Sequence, residues 1–265
     1  MLAAVVPVHN EEARLKKTIK NLLAVDLDLI IPVINGSSDN SYNIIRQIRS
    51  QRILPLNFQE PLGIDVPRAV GAKVALNKGT SVVLFLDGDM DGEISENLKE
   101  LLQTVVSGNA DMALTDCYPE QHAAGLSKLA ARVLEARGRL NREIGLEKTL
   151  GVASPCHGPH AVSRRFLFSI PLRELAIPPV SLGLAAKQEL KIRVGTVTPH
   201  LALGSPGKNT THSELIAQTI IGDCLEAARV YHGEKRNRLM GLVEYDGYNS
   251  TRRWDLLDQF LGEAY

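Results

Sequence analysis

The sequence is poor in the features that identify many protein classes at once. Its three cysteines, Cys117, Cys156 and Cys224, are odd in number, far apart and in no CxxC arrangement. That argues against a disulfide framework or a thiolate zinc site and leaves each as a small buried hydrophobe. Aromatic residues make up only 5% of the chain, too few for the stacking platforms that hold oligosaccharides or single-stranded nucleic acid. An excess of one charge is missing as well: 30 Lys+Arg balance 30 Asp+Glu, so no global basic field draws the chain to nucleic acid or anionic lipid. No apolar run approaches the ~20 residues of a membrane span, and the N-terminal MLAAVVPVHNEE has neither a basic n-region nor a cleavage site. These absences predict a cytoplasmic protein without a transmembrane segment or a nucleic-acid partner. No internal repeat, low-complexity tract or linker breaks the chain.

What remains is an ordinary globular composition, with 44% apolar and 23% charged residues over 265 positions, enough to bury a full core. Periodicity predicts strands at 2–8, 27–34, 53–58, 81–86, 111–116 and 190–197. They alternate with helices at 11–24, around 44–48, at 66–76, 96–106, 123–144 and 213–231. Such alternation predicts an α/β fold with right-handed crossovers and a mostly parallel sheet covered by helices on both faces. Ligands bind such sheets beyond the carboxyl ends of the strands. His9-Asn10-Glu11, the stretch 35–39 and Asp87-Gly88-Asp89 each follow a strand, so all three face one crevice.

The aspartates carry the chemistry. Residues 82–86 are apolar and run straight into Asp87-Gly88-Asp89, with Asp91 close behind and no basic residue nearby in sequence. Two carboxylates one residue apart on an extended segment project to the same side, with Gly88 leaving room for a ligand between them. Unpaired, they repel each other. A hard divalent cation relieves this, and oxygen ligation selects Mg2+ or Mn2+ over zinc. The alternative is an exposed turn that caps a helix beginning near Ile94.

The segments VVPVHNEEARLKKTIKNL, VINGSSDNS and VVLFLDGDM resemble, in order and spacing, the nucleotide-sugar-binding half of GT-A (Rossmann-like) glycosyltransferases of the family 2 type. The resemblance covers roughly the first 115 residues. It implies that Asp87 and Asp89 hold a metal on the diphosphate of a nucleotide sugar, a UDP- or GDP-hexose. It also implies donor contacts for Pro7, His9, Asn10, Glu11, Asn35, Ser37 and Asp39. Glu11 and Asp39 suit hydrogen bonds from a ribose or a uracil imide; an acid in a first helical turn and an N-cap are the structural alternatives. Arg68 is a candidate for the pyrophosphate, and Gly71-Ala72 permits close helix packing. Where many relatives carry a lysine between two glycines, this chain reads Gly63-Ile64-Asp65.

In the second half, many inverting relatives carry an acidic pair that deprotonates the acceptor, where this chain has Pro178, Pro179, Val180 and Ser181. Without that base, inversion on an alcohol is harder to arrange, and retention is favoured. The order of the acid pair, a long helix with LNR, the SPCHGPHAVSRR segment and a strand ending near a histidine is similar to glucosyl-3-phosphoglycerate synthases. Ser181 departs from that group, which keeps a glutamate there. Completion of the metal shell by a C-terminal histidine points to His200 first and His212 second. His157, His160 and Arg164 are candidates for the acceptor pocket, and Lys208, in LGSPGKNTTH, for a loop that closes on the diphosphate.

The leading expectation is a metal-dependent transferase that moves a hexose from a nucleotide diphosphate sugar to a small hydroxyl acceptor. It would have a GT-A domain over 1–232 (donor half 1–115, acceptor half 116–232) and a helical C-terminal extension over 233–265, with a homodimer left open. An inverting transferase for a lipid or polysaccharide acceptor, a sugar nucleotidyltransferase and a non-catalytic nucleotide-sugar sensor are the alternatives.

Overall fold

The computed structural model describes residues 1–119, 126–205, 207 and 209–262. Lys208 lies outside them. Seven strands form one sheet: β1 (Leu2–Val8), β2 (Leu29–Asn35), β3 (Leu56–Phe58), β4 (Val82–Phe85), β5 (Met112–Asp116), β6 (His160–Ser163) and β7 (Ile192–Val197), in the order β3-β2-β1-β4-β6-β5-β7. Only β6 runs antiparallel to its neighbours β4 and β5; the other pairings are parallel. The mostly parallel α/β sheet expected from the alternation is therefore present.

Strand β1 shows why these residues make a central strand. Ala3 and Val5 enter one core, while Ala4, Val6 and Val8 enter the other, the period-2 division of a sheet buried on both faces. Helices α1 (Leu15–Leu23) and α4 (Ser95–Val106) cover the second face. The first is covered by α3 (Val66–Asn77), α8 (Pro178–Lys187) and α10 (Trp254–Gly262). Gly71 brings α3 directly onto β1, because a Cβ there would overlap Val5, and this is the close packing expected of it.

Helix α1 begins at Leu15 rather than residue 11. Asn10 adopts φ 57°, and the amides of Glu11 and Glu12 donate to Ser41 Oγ and Asp39 Oδ2 at 2.9 Å each, so the chain is committed to the neighbouring loop before it coils. The short helix α2 (Ser41–Gln47) follows that loop. The long helix expected over 123–144 is α5 (Lys128–Glu143), with Ser127 Oγ as its N-cap, accepting from the amide of Ala130; residues 120–125 lie outside the described set. A short helix, α6 (Glu147–Leu150), follows, and α7 (Arg164–Ser169) continues directly from β6. Helix α9 (Thr210–His232) packs along α5 and α8. Beyond it the chain forms a hairpin, β8 (Leu239–Met240) with β9 (Val243–Glu244), then α10 against α3.

Candidate active site

Because β1, β2 and β4 are parallel, their carboxyl ends lie at one edge of the sheet; β6 runs the other way, so its amino end joins them. A crevice of about 790 Å³ opens there, lined among others by Pro7, His9, Glu11, Asn35, Asp87, Asp89, His157, His200 and His212. The three strand-end loops thus do converge, and Asp87 and Asp89 are half-buried on the crevice wall. No side chain caps α4, so helix capping does not explain the acids.

The acids are not without basic neighbours, contrary to what their sequence surroundings suggest. Arg68, 19 positions away, places its guanidinium 2.6 Å from Asp87 Oδ1 and 3.0 Å from Asp65 Oδ1. Burial works against the Arg68 cation, but Asp87 and Asp65 outweigh it and raise its pKa. Arg14 likewise bonds Asp91 at 3.3 Å and the Gly204 carbonyl at 2.9 Å. Asp65 also faces Arg252 at 3.6 Å, and Arg252 pairs with buried Asp223 at 2.8 Å. Asp223, Arg252, Asp65, Arg68 and Asp87 thus form one chain of alternating charge from α9 to the crevice. Gly88 does not leave a gap between the acids: its amide donates to the Pro7 carbonyl at 2.9 Å, and a Cβ would meet that oxygen at 3.0 Å. Its role is to let the acid turn close against β1.

The other loops are fastened by side chains acting as backbone. Asn35 accepts from the Leu62 amide at 2.6 Å and donates to the Gly63 carbonyl at 3.1 Å, while its own carbonyl bonds His9 Nδ1 at 2.6 Å. Ser37 Oγ accepts from the Asn10 amide, and Asn10 Oδ1 accepts from the Ser38 amide. Asp39 bonds the Glu12 and Ser41 amides. Burial raises the Asp39 carboxyl, but bonds from Ser41 and Glu12 prevail and hold it below the usual carboxylate range. Asn10, Ser37 and Asp39 are outside the crevice lining and remain partly or fully exposed.

Two expected acceptor residues are placed elsewhere. His160 is 3% exposed, stacks on Phe85 at 5.0 Å and lies outside the crevice lining. Burial, then the nearby Arg68 charge, push its pKa down to about 3. Arg164 follows β6 as that strand runs away from the crevice. It reaches the far end of the sheet, where it bonds the Thr80 carbonyl at 3.1 Å and lies over the Phe168 ring.

His157 and His200 do line the crevice, with His200 Nδ1 and His157 Nε2 at 3.1 Å and Tyr118 against both rings. Burial and the charge of Arg137 lower both pKa values, which keeps the imidazoles neutral at pH 7. His212 Nδ1 bonds the Tyr248 hydroxyl at 2.8 Å. Among the described residues, no three His, Cys, Asp or Glu side chains stand close enough together to hold a metal, so neither histidine meets the acid pair in this conformation. Ser181, buried in α8, bonds the Pro178 carbonyl at 2.8 Å. Tyr118, Arg137, Tyr248 and Thr251 are lining residues that sequence reading missed. Arg137 alone left a signal: a basic residue in register with Val133 and Leu140 on an apolar stripe.

A mostly parallel sheet with helices on both faces and an acid pair in the crevice at its strand ends defines an α/β protein of the GT-A kind. The chain belongs to glycosyl transferase family 2, whose sequence profile matches residues 3–169. It is 20% identical over 125 residues to UDP-N-acetylglucosamine--dolichyl-phosphate N-acetylglucosaminyltransferase of Methanococcus voltae, covering 42% of this chain and 49% of that protein. This chain's match thus spans about half the length of that relative. Among solved structures, glucosyl-3-phosphoglycerate synthase from Mycobacterium tuberculosis in complex with UDP superposes with a TM-score of 0.60 at 18% identity, covering 89% of this chain and 81% of that one. Its complex with Mn2+, UDP-glucose and phosphoglyceric acid gives 0.55 at 19% identity, covering 89% and 80%. At these identities the likeness is one of fold. No described helix is long and apolar enough to cross a membrane.

Proposed function

We propose that this chain transfers a hexosyl group from a nucleoside diphosphate sugar to a small hydroxyl-bearing acceptor, with Mg2+ or Mn2+ as cofactor. The observation that carries the reading is the position of Asp87 and Asp89 on the wall of a crevice shared with Pro7, His9, Glu11 and Asn35. The two acids fit a hard cation that takes few protein ligands and leaves positions for substrate phosphates. Held by Asp87 and Asp89, such an ion would offset negative charge on the diphosphate. His200 or His212 would complete the shell only after moving toward the acids.

This chain's own residues do the rest. His9, Glu11 and Asn35 receive the nucleoside, while Asn10, Ser37 and Asp39 hold their loop in shape. Arg68 fixes a guanidinium beside the acid pair, where phosphate oxygens arrive. No Asp or Glu lines the crevice from Tyr118 onward among the described residues, and a site without a carboxylate base there favours retention. The domain spans 1–232, and the segment from 233 closes the crevice with Tyr248 and Thr251. A lipid acceptor is the second reading, favoured by the apolar wall that Leu129, Val133, Leu134, Ile216 and Ile220 form.

Thermal-shift titration with UDP- and GDP-hexoses, with and without Mn2+, tests the proposal on wild type and Asp89→Ala. Metal-dependent stabilisation of about 3 kcal/mol is expected at a hundredfold excess over Kd, and its loss in the variant. Slow donor hydrolysis then separates an enzyme from a sensor. Stabilisation by nucleoside triphosphates alone overturns the reading in favour of a nucleotidyltransferase.

A further inference from the structure

Four arginines are buried among the described residues: Arg68, Arg137, Arg238 and Arg252. Three are paired with carboxylates: Arg68 with Asp65 and Asp87, Arg238 with Asp223 and Glu226, and Arg252 with Asp223. Arg137 is the exception. It is 4% exposed, its Nε has no hydrogen-bond partner, and it makes no ion pair with any described residue. A buried cation without a counter-charge is costly, yet this one lines the crevice, beside Tyr118, His157 and His200. Its charge bears on all three, and on Cys117. Among the described residues, no Asp or Glu from Tyr118 onward lines the crevice beside it.

We propose that Arg137 is the floor of an anion subsite and that the acceptor carries a phosphate or carboxylate there. The guanidinium fork matches either group bidentately, and the imidazoles of His157 and His200 and the Tyr118 hydroxyl supply further hydrogen bonds. The subsite itself stands on Arg137; naming its ligand as the acceptor rests on the transferase reading above.

Inorganic phosphate is the probe, with thermal shift as the readout on wild type and Arg137→Met. Phosphate stabilises the wild type, and its affinity falls about tenfold or more in the variant. Without phosphate, Arg137→Met melts no lower than wild type, because a charge that lacks a partner has been removed; a structural guanidinium would give the opposite. Arg137→Lys, which keeps the charge but not the fork, retains a weakened response and serves should the Met variant fail to fold. The phosphate response persists with UDP and Mg2+ saturating. Its disappearance under UDP, or an unchanged response in Arg137→Met, overturns the proposal. Glycerol 3-phosphate and phosphatidylcholine vesicles carrying phosphatidic acid then tell a soluble anion from a lipid headgroup, and either one responding through Arg137 supports the subsite. Failure of UDP to bind wild type would sink the transferase reading while leaving the phosphate result intact.

Discussion

In the half of the crevice proposed for the donor, charged side chains arrive already matched: Asp87 with Arg68, Asp65 with Arg68 and Arg252, Asp91 with Arg14. In the half proposed for the acceptor, Arg137 pairs with no carboxylate among the described residues, and two neutral histidines face each other. The difference teaches where the chain spends its stability. Matched charges fix the acid pair before any ligand comes, while an unmatched charge costs stability that only a ligand offsets.

The largest effect expected on this contrast comes from cutting the donor-side charge chain at its root. Asp223 is buried in α9 and serves both Arg238, at 2.5 Å, and Arg252, at 2.8 Å. Asp223→Ala takes the nearer carboxylate from two buried guanidinium groups, leaving Arg238 only Glu226 at 3.2 Å and Arg252 only Asp65 at 3.6 Å, and costs about 3 kcal/mol, read from the urea midpoint. Because Arg252 also faces Asp65, donor affinity falls with it. A cost under about 1 kcal/mol, the level of an exposed pair, would mean that the donor half does not depend on its matched charges.

A middle-sized effect separates His160 from the crevice it was expected to line. The folded chain holds it neutral down to about pH 3, whereas the unfolded chain takes up a proton below about pH 6.5. The unfolded state therefore binds more protons between those values, and stability falls as pH drops through the window. Between pH 7 and pH 5 this component is about 2 kcal/mol. His160→Leu, neutral at every pH, removes it without changing acceptor KM; a raised KM would return His160 to the acceptor half.

Much of the donor half was legible in sequence because its strands are apolar on both faces and its polar loops follow them directly. β1 was read at its observed bounds, Leu2–Val8, and the convergence of three loops followed from chain direction alone. Strand β6 was missed because four residues in a Gly-, Pro- and His-rich stretch carry little periodicity; its pairing with β4 and β5 makes it a strand. That antiparallel insertion is also what carries Arg164 to the wrong end of the sheet. The Arg68–Asp87 and Arg252–Asp65 contacts join positions 19 and 187 residues apart, and no local pattern encodes them. Arg137 is visible as a charge on an apolar stripe, but only the packing shows that no described carboxylate pairs with it.

The smallest effect sharpens the comparison most finely, because it asks whether the donor loops touch the nucleotide or only shape its site. Ser37 Oγ accepts from the Asn10 amide at 3.1 Å, where Asn10 holds φ 57°. Ser37→Ala removes that bond in a partly exposed loop whose amide can turn to water, so the stability cost is about 1 kcal/mol or less. If Ser37 only fastens the loop, UDP affinity changes by less than about threefold, since the Asn10 Oδ1 bond to the Ser38 amide still holds the turn. A loss of tenfold or more at an unchanged melting temperature would move Ser37 from the loop's scaffold onto the donor itself. The donor half would then resemble the acceptor half in keeping part of its polar surface for the ligand.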